Sequence, residues 1–113
     1  MAKYIILLTK EDKEWLEKVI EFAKVLKMSG AEDIKLCFVL EAIKMLSIEN
    51  EEFKLIINKH LEDLNKLNIK LNACKDCMMR FNIPEEKIFY KDEIFSFEIM
   101  NKLADQGYHI ITF

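Results

Sequence analysis

Short apolar runs alternate with longer amphipathic segments along this chain. A continuous apolar run at residues 4–8 predicts a strand that is buried on both faces, and further β-prone runs at 34–40 and 69–73 predict two more strands. Apolar residues at three- and four-residue spacing predict helices over residues 11–29 and from about residue 50 to 67. A short helical piece is expected at residues 42–47.

The second half of the chain predicts shorter elements. Asn82 tolerates the left-handed conformation and is expected to end a helix, as are Gly30 and Asn68 earlier in the chain and Gly107 later. Asp92 is expected to cap the last helix. The predicted order is two helical turns over 75–81, one turn over 85–87, a strand over 88–90, a helix over 93–106 and a final strand over 108–113.

Strands and helices alternate from one end of the chain to the other. This alternation predicts a mostly parallel five-stranded sheet with helices on both faces, which is a three-layer α/β/α sandwich. With 113 residues and 51% hydrophobic residues, the chain is expected to form one domain over residues 1–113.

Composition narrows the class of function. The net charge is −3 and no dense basic block is present, so nucleic-acid binding is not expected. The apolar run at residues 4–8 is too short to cross a membrane or to form the core of a signal sequence. We therefore expect a cytoplasmic protein with no membrane partner, in which the three cysteines form no disulfide framework.

A Cys-x-x-Cys pair, Cys74 and Cys77, stands where the third predicted strand ends and a helix begins. In an open parallel sheet, ligands bind at the edge formed by the carboxyl ends of the strands, so the pair is expected at the functional edge. Backbone N–H groups and the helix dipole at a helix start lower the pKa of a thiol. Lys75 and Arg80 add positive charge nearby, which favours a thiolate or an anionic group.

Other polar residues are sorted by the same edge rule. Thr9 and Lys10 follow the first predicted strand and Glu41 follows the second, so all three are candidate binding residues beside the thiols. His109 begins the last strand and is expected at the opposite edge. His60 lies in mid-helix, where a hydrogen-bonded structural histidine is expected. A Cys–His nucleophile pair is therefore not expected.

Four interpretations of the Cys-x-x-Cys pair are open from the residues alone. A thioredoxin-like redox pair follows an early strand and begins a long helix, whereas this pair follows three predicted strands and begins a short helix. A structural zinc site lacks ligands within one chain, because Cys37 is expected in the core, although a site shared between subunits stays open. The other two interpretations are incidental core cysteines and a thiolate that carries sulfur as a persulfide.

One stretch resembles a known protein family. Residues 69–83, Ile-Lys-Leu-Asn-Ala-Cys-Lys-Asp-Cys-Met-Met-Arg-Phe-Asn-Ile, resemble the signature of the DsrE/DsrF family in its YchN-like branch, and residues 110–113 resemble its closing strand. The order of elements matches along nearly the whole chain. The resemblance implies a three-layer α/β/α fold, homotrimers or homohexamers, and a role in sulfur relay. It also implies that Cys74 is the reactive cysteine and Cys77 the second cysteine of this branch.

Two places depart from the family pattern. Residues 9–12 occupy a loop in which many relatives carry small, Gly-containing sequences. Asn82 stands where relatives often have Gly, and because Asn tolerates the left-handed conformation, the turn is expected to be kept.

Two functions of different classes are expected. The first is a sulfur carrier or sulfurtransferase without a cofactor, which holds sulfane sulfur as a persulfide on Cys74 and exchanges it with donor and acceptor proteins. Cys77 would help to release the sulfur by forming a disulfide. The second is a non-catalytic homo-oligomeric binding module. Phe95 and Phe97 cannot face one core along a single helix, so one of them, with Met100, would meet another subunit.

Overall fold

Five parallel strands form a single sheet, flanked by four α-helices. The structure is a computed structural model that describes residues 1–113. The strands are β1 (Lys3–Leu8), β2 (Asp33–Phe38), β3 (Ile69–Cys74), β4 (Glu93–Phe95) and β5 (Tyr108–Thr112). The α-helices are α1 (Lys13–Met28), α2 (Glu51–Lys66), α3 (Lys75–Arg80) and α4 (Phe97–Asp105). Two 3-10 helices cover Leu40–Leu46 and Glu85–Lys87.

The helices cover both faces of the sheet, whose strand order is β4-β3-β2-β1-β5. The strands β1 to β4 follow one another across the sheet, and right-handed crossovers between parallel strands place α1, α2 and α3 on one face. After β4 the chain returns to the opposite edge of the sheet to form β5, so the same rule places α4 on the other face. The predicted three-layer α/β/α sandwich with a five-stranded sheet is confirmed.

The strands carry much of the core because both of their faces are covered. A cluster of 27 buried apolar residues runs through the sheet and the helices, and Ile5, Ile6 and Leu8 of β1 have no exposed surface. Asp12 is the N-cap of α1, and its carboxylate accepts a hydrogen bond from the N–H of Trp15 at 2.8 Å. No helix has the length and apolar character that crossing a membrane requires.

The residues that were expected to end helices adopt left-handed backbone. The φ angles are 57° at Asn68, 53° at Asn82, 114° at Gly30 and 92° at Gly107. Asn and Gly are the residue types that enter this region at the lowest cost. The predicted helix ends at these positions are confirmed.

The fourth strand lies a few residues beyond its predicted position. Residues 88–90 form no strand, and Ile88 instead makes an isolated antiparallel bridge with Ser47. The strand itself is β4, five residues further along the chain, and it pairs with the end of β3. The prediction of a strand at residues 88–90 is therefore wrong.

Asp92 does not cap the last helix, as the sequence pattern predicted. Its carboxylate accepts a hydrogen bond from the N–H of Leu71, and its own N–H donates to the carbonyl oxygen of Leu71, both at 2.8 Å. These bonds hold the chain beside β3, so the next residues continue as β4 and not as a helix. Ser96 caps α4 by accepting a hydrogen bond from the N–H of Ile99 at 3.1 Å.

Phe95 and Phe97 lie on different elements. Phe95 ends β4 and is fully buried, whereas Phe97 is the first residue of α4 and is 39% exposed. Their rings meet edge to face, with 6.3 Å between the centroids. The prediction that both residues share a helix is wrong, so their spacing gives no reason to place either one at a subunit interface.

His60 is a buried, hydrogen-bonded residue between α2 and α1. Its Nδ1 lies 2.8 Å from Nζ of Lys24, and its Nε2 lies 2.7 Å from a carboxylate oxygen of Glu17. An ammonium group only donates, so Nδ1 accepts and Nε2 donates to Glu17. Carboxylate oxygens of Asp63 at 3.2 Å and of Glu21 at 3.5 Å complete the surroundings of the Lys24 ammonium. The expected structural histidine is confirmed.

Candidate functional site

The ends of the strands bring Cys74 to the carboxyl edge of the sheet. Leu8 of β1 pairs with Phe38 of β2, and Phe38 pairs with Ala73 of β3, so these strands end at the same level. Cys74 is the next residue of β3 and pairs with Phe95 of β4. Open parallel sheets bind their ligands at this edge. Cys74 therefore lies at the edge that the sequence indicates.

Two backbone N–H groups donate to the sulfur atoms of the thiol pair. Cys74 is the N-cap of α3, and its Sγ accepts a hydrogen bond from the N–H of Cys77 at 3.3 Å. The Sγ of Cys77 accepts a hydrogen bond from the N–H of Leu40, just beyond β2, at 3.1 Å. Both cysteines are free thiols, and only 0% and 3% of their surface is exposed. Main-chain donors thus reach both sulfur atoms from inside the protein.

Burial controls the ionisation of Cys74. Burial, followed by a hydrogen bond to the Cys77 side chain, raises the pKa of the Cys74 thiol to about 12, and the N–H of Cys77 opposes this rise. Phe95 is fully buried and pairs with Cys74 across the two strands, which makes the surroundings of the sulfur apolar. The predicted lowering of the pKa at a helix start is wrong for Cys74. Helix α3 has only six residues, and loss of water outweighs its effect.

Cys37 is a core residue, as predicted. It lies within β2, where it pairs with Leu7 of β1 and Asn72 of β3, and it has no exposed surface. Burial raises the pKa of its thiol well above the ordinary value. Cys37 makes no hydrogen bond to the thiol pair; its Sγ lies 3.8 Å from the carbonyl oxygen of Lys35.

Two cations lie on the exposed side of α3. Lys75 and Arg80 are both exposed, and neither forms a salt bridge within the chain, whereas Lys44 and Lys87 are ion-paired. Met79 lies on the same side of the helix and is 69% exposed. We call Lys75, Met79 and Arg80 the α3 face. It presents two unpaired positive charges and one apolar side chain beside the buried thiols. The one carboxylate of α3, on the exposed Asp76, accepts a hydrogen bond from the N–H of Phe97 at 3.1 Å.

The other candidate binding residues are engaged elsewhere. Thr9 donates from both its N–H and its Oγ1 to the carbonyl oxygen of Phe113, each at 2.8 Å. The ammonium of Lys10 lies 4.8 Å from the ring centre of Trp15. Glu41 forms an exposed salt bridge of 3.3 Å within its own 3-10 helix. None of these contacts reaches Cys74 or Cys77.

No third metal ligand joins the thiol pair within the chain. No group of three or more His, Cys, Asp and Glu side chains is arranged to hold a metal ion. His109 pairs with Tyr4 near the start of β1, which is the amino end of the parallel strands. It therefore lies at the edge opposite to Cys74, as predicted.

The contact of Leu40 with Cys77 was not foreseen from the sequence. The apolar run predicted a strand that continues to Leu40, but β2 ends at Phe38, and Leu40 begins a 3-10 helix with φ at 51°. A leucine that closes an apolar run carries no sequence signal of left-handed backbone. The group that contacts Cys77 is moreover the backbone N–H, which any residue type other than proline provides.

Comparison with known proteins identifies the family of this chain. The profile of the DsrE/DsrF-like family matches residues 2–113. The chain belongs to the DsrE/DsrF-like family. The match covers the Cys-x-x-Cys run and the closing strand, on which the resemblance in the sequence rests, and the family supports a function of the sulfur-relay type. No curated protein matches the chain.

Solved structures of other proteins share this DsrE/DsrF-like fold. A conserved protein of unknown function from Bacteroides thetaiotaomicron is 18% identical with a TM-score of 0.71, over 98% of this chain and 94% of that chain. A protein of unknown function from Methanobacterium thermoautotrophicum is 12% identical with a TM-score of 0.74, over 99% of both chains. The YchN protein of E. coli is 16% identical with a TM-score of 0.69, over 100% of both chains. At these identities the likeness concerns the fold.

Proposed function

We propose that this DsrE/DsrF-like protein is a sulfur-relay protein that carries sulfane sulfur as a persulfide on Cys74. Family membership supports sulfur relay as the type of function. The observation that carries the proposal is the pair of free thiols at the carboxyl edge, in which each sulfur accepts a backbone N–H. Donors of this kind stabilise negative charge that develops on sulfur during thiol exchange.

Loading transfers one neutral sulfur atom. Cys74 attacks the outer sulfur of a donor persulfide, R–S–SH, and the bond between the two donor sulfurs breaks. The donor leaves as a thiolate and takes up the proton that the Cys74 thiol gives up, so the products are R–SH and a persulfide on Cys74. The step consumes no oxidant and no reductant, and Cys74 is the sulfur that bonds to the transferred atom.

Unloading follows one of two routes. An acceptor thiolate attacks the outer sulfur of the persulfide, which yields an acceptor persulfide and returns Cys74 to the thiol. In the absence of an acceptor, the thiolate of Cys77 attacks Sγ of Cys74 and expels hydrosulfide, which leaves a Cys74–Cys77 disulfide. A thiol reductant then restores both thiols.

We propose that donor and acceptor proteins dock on the α3 face. The buried thiols are reached only when this edge opens, and a docked partner supplies the contacts that favour opening. Lys75 and Arg80 have no carboxylate partner within the chain, so they complement acidic groups on a partner, and Met79 offers an apolar contact.

A charge reversal tests this docking surface. The double variant Lys75→Glu, Arg80→Glu should slow sulfur transfer from an acidic carrier protein about tenfold or more, because repulsion replaces attraction in the encounter. Loading from a small neutral persulfide should stay unchanged. Equal loss with both donors would mean that the variant damages the thiol site itself, and an unchanged rate with the acidic protein would refute the proposed surface.

Intact-mass measurement tests the proposed carrier function. The reduced protein is incubated with a small-molecule persulfide and then weighed, together with Cys74→Ser, Cys77→Ser and Cys37→Ser variants. We expect Cys77→Ser, which cannot form the disulfide, to keep the mass of one added sulfur atom, and Cys74→Ser to gain none. The wild type and Cys37→Ser should gain one sulfur atom and then, as hydrosulfide leaves, end with the mass of the Cys74–Cys77 disulfide, two hydrogens lighter than the reduced protein. An adduct that persists in Cys74→Ser would refute Cys74 as the carrier.

A non-catalytic homo-oligomeric module is the second candidate function, and exposed apolar residues favour it. Phe22, Val25 and Met28 of α1 are 39%, 56% and 65% exposed, and they recur at three-residue spacing along the helix. An apolar stripe of this kind on a helix fits against a second copy of the chain. We propose a homotrimer or homohexamer, which light scattering measures directly.

A paired variant separates the two candidate functions. Val25→Glu should dissociate the oligomer if this stripe lies at the interface, whereas Cys74→Ser should leave the oligomer intact. If cells that carry the Cys74→Ser variant behave like wild type, while cells that carry Val25→Glu do not, the protein acts as a non-catalytic binding module. A monomer in light scattering at all concentrations would remove the binding module.

A further inference from the structure

Leu40 has a backbone conformation that its residue type does not favour. Its φ is 51°, and the other residues with positive φ are Gly30, Asn68, Asn82 and Gly107. Gly and Asn enter the left-handed region readily, whereas a leucine does so at a cost because its Cβ crowds the following carbonyl oxygen. Such costs persist where the surrounding structure holds the residue in place, and they cluster at functional sites.

Packing of the side chain does not account for this conformation. Leu40 as a whole is 46% exposed, and partial burial of this kind does not require a left-handed backbone. The residue before it, Val39, still follows the sheet, since its N–H donates to the carbonyl oxygen of Leu8 at 3.0 Å. At Leu40 the backbone turns away from the sheet, and its N–H donates to Sγ of Cys77 at 3.1 Å. The left-handed backbone of Leu40 thus directs its N–H to the sulfur of Cys77.

The two sulfur atoms accept from different sources. Cys74 accepts from the N–H of Cys77, within the same helical turn, whereas Cys77 accepts from Leu40, which is 37 residues away in the sequence. The hydrogen bond within the first turn of α3 needs only the local helix start in order to form. The Leu40 contact forms only when β2, the 3-10 helix and α3 are assembled around the site.

We infer that Leu40 is a positioning residue, whose left-handed backbone aims its N–H at Cys77 so that Cys77 acts as the proton acceptor for Cys74. This inference rests on the proposed sulfur-carrier function and adds the route of the proton. As Sγ of Cys74 attacks the outer sulfur of the donor persulfide, the Cys74 proton passes to the Cys77 thiolate. It then passes to the departing donor thiolate, so atoms and charge balance. A base beside a weak nucleophile is a general means of activating it.

A titration of the wild-type protein tests the contact without any substitution. In isotope-labelled protein, the Cβ chemical shift of Cys77 reports ionisation of its thiol, and the amide shift of Leu40 reports the charge that its N–H faces. We expect both signals to change with the same midpoint. The Leu40 amide signal should lose this change in Cys77→Ser. A Leu40 amide that does not follow Cys77 would overturn the inference.

Three variants separate the backbone from the side chain of Leu40. Leu40→Gly keeps the N–H and accepts positive φ, so the Cys77 midpoint should stay within about 0.3 pH units of wild type. Leu40→Val places a β-branched residue at this φ and turns the N–H away, so the midpoint should rise by about one pH unit or more. Asn68→Val introduces the same conflict at a left-handed position before β3, and it should leave the midpoint unchanged.

The outcomes are distinguishable from failure of the carrier function. The titrations of the Cys77 Cβ signal and of the Leu40 amide signal need no sulfur donor. Their results are therefore valid whether or not a persulfide forms on Cys74. A rise in the Cys77 midpoint in Asn68→Val equal to that in Leu40→Val would show a general structural effect and would overturn the inference. An unchanged midpoint in a folded Leu40→Val would do the same. If Leu40→Val does not fold, the wild-type titration of the Leu40 amide decides.

Discussion

The backbone N–H of Cys77 donates to Sγ of Cys74 across 3.3 Å, yet Cys74 is held as a thiol at neutral pH. One backbone donor offsets only part of the free energy that a buried thiolate loses when water is removed. The protein therefore keeps its most buried edge thiol protonated until a partner or a base acts on it. This protects the sulfur from solvent oxidants, because susceptibility follows thiolate character and exposure.

The raised pKa of Cys74 predicts a loss of stability at alkaline pH. The folded protein retains the thiol proton up to about pH 12, whereas the unfolded chain loses it near the ordinary value of 9.0. The contribution of Cys74 is therefore complete below pH 9.0 and is lost as the pH rises towards about 12. We expect the free energy of unfolding to fall in this window by at most about 1.4 kcal/mol per pH unit for this group. Urea unfolding at a series of pH values measures it.

The control for this prediction compares slopes, not absolute stability. Cys74→Ala removes the titrating group and should make the alkaline fall shallower, as should Cys37→Ala, whose thiol pKa is raised by burial too. Met79→Ala changes an exposed residue and should leave the slope unchanged. Identical slopes in wild type and Cys74→Ala would contradict the assignment.

Glu17 predicts a loss of stability at acid pH. Hydrogen bonds from Lys59 and then from His60 lower the pKa of Glu17 below its ordinary value of 4.5. Its contribution is therefore present above pH 4.5 and is lost as the pH falls through the lowered value. We expect Glu17→Gln to cost about 1 kcal/mol at neutral pH, since the pair is partly exposed, and to flatten the acid limb of the stability curve. Glu14→Gln, an exposed carboxylate in the same helix, should change neither.

Ser96 predicts where the last helix begins. Because its side chain accepts a hydrogen bond from the N–H of Ile99, Ser96→Ala should destabilise the protein by about 1 kcal/mol and speed amide hydrogen exchange at Ile99. Asp92→Ala should instead speed exchange at Leu71, whose N–H it binds. Faster exchange at Ile99 in Asp92→Ala with none in Ser96→Ala would contradict the observed helix start.

The fold was predictable where local pattern and tertiary structure agree. The apolar runs that became β1 and β3, and the Asn and Gly helix ends, need no distant partner to be recognised. After Pro84 the predicted start of the last helix was wrong, because Asp92 and Ser96 are both good helix caps and the local sequence does not choose between them. The choice is made by Leu71, a residue of β3 that exchanges two hydrogen bonds with Asp92.

The candidate site was predictable in its position but not in its electrostatics. The edge rule for parallel sheets located Cys74, and helical spacing located Cys77 beside it. The rise in the pKa of Cys74 depends on burial against residues such as Phe95, which lies on the strand whose position the sequence pattern missed. The contact from Leu40 depends on a left-handed backbone that no leucine signals. Both features depend on contacts between residues that are distant in the sequence.

A tryptic peptide map of sulfur-loaded protein tests the central claim most directly. Trypsin cleaves after Lys75, so Cys74 and Cys77 fall on different peptides, and Cys37 falls on a third. The protein and its Cys77→Ser variant, in which no disulfide can release the sulfur, are both loaded with a small-molecule persulfide. Their thiols and persulfides are blocked by alkylation, and the peptides are weighed. We predict that the extra sulfur atom is found on the peptide of Cys74. Extra sulfur confined to the peptides of Cys77 or Cys37, or absent from all three, would contradict the account.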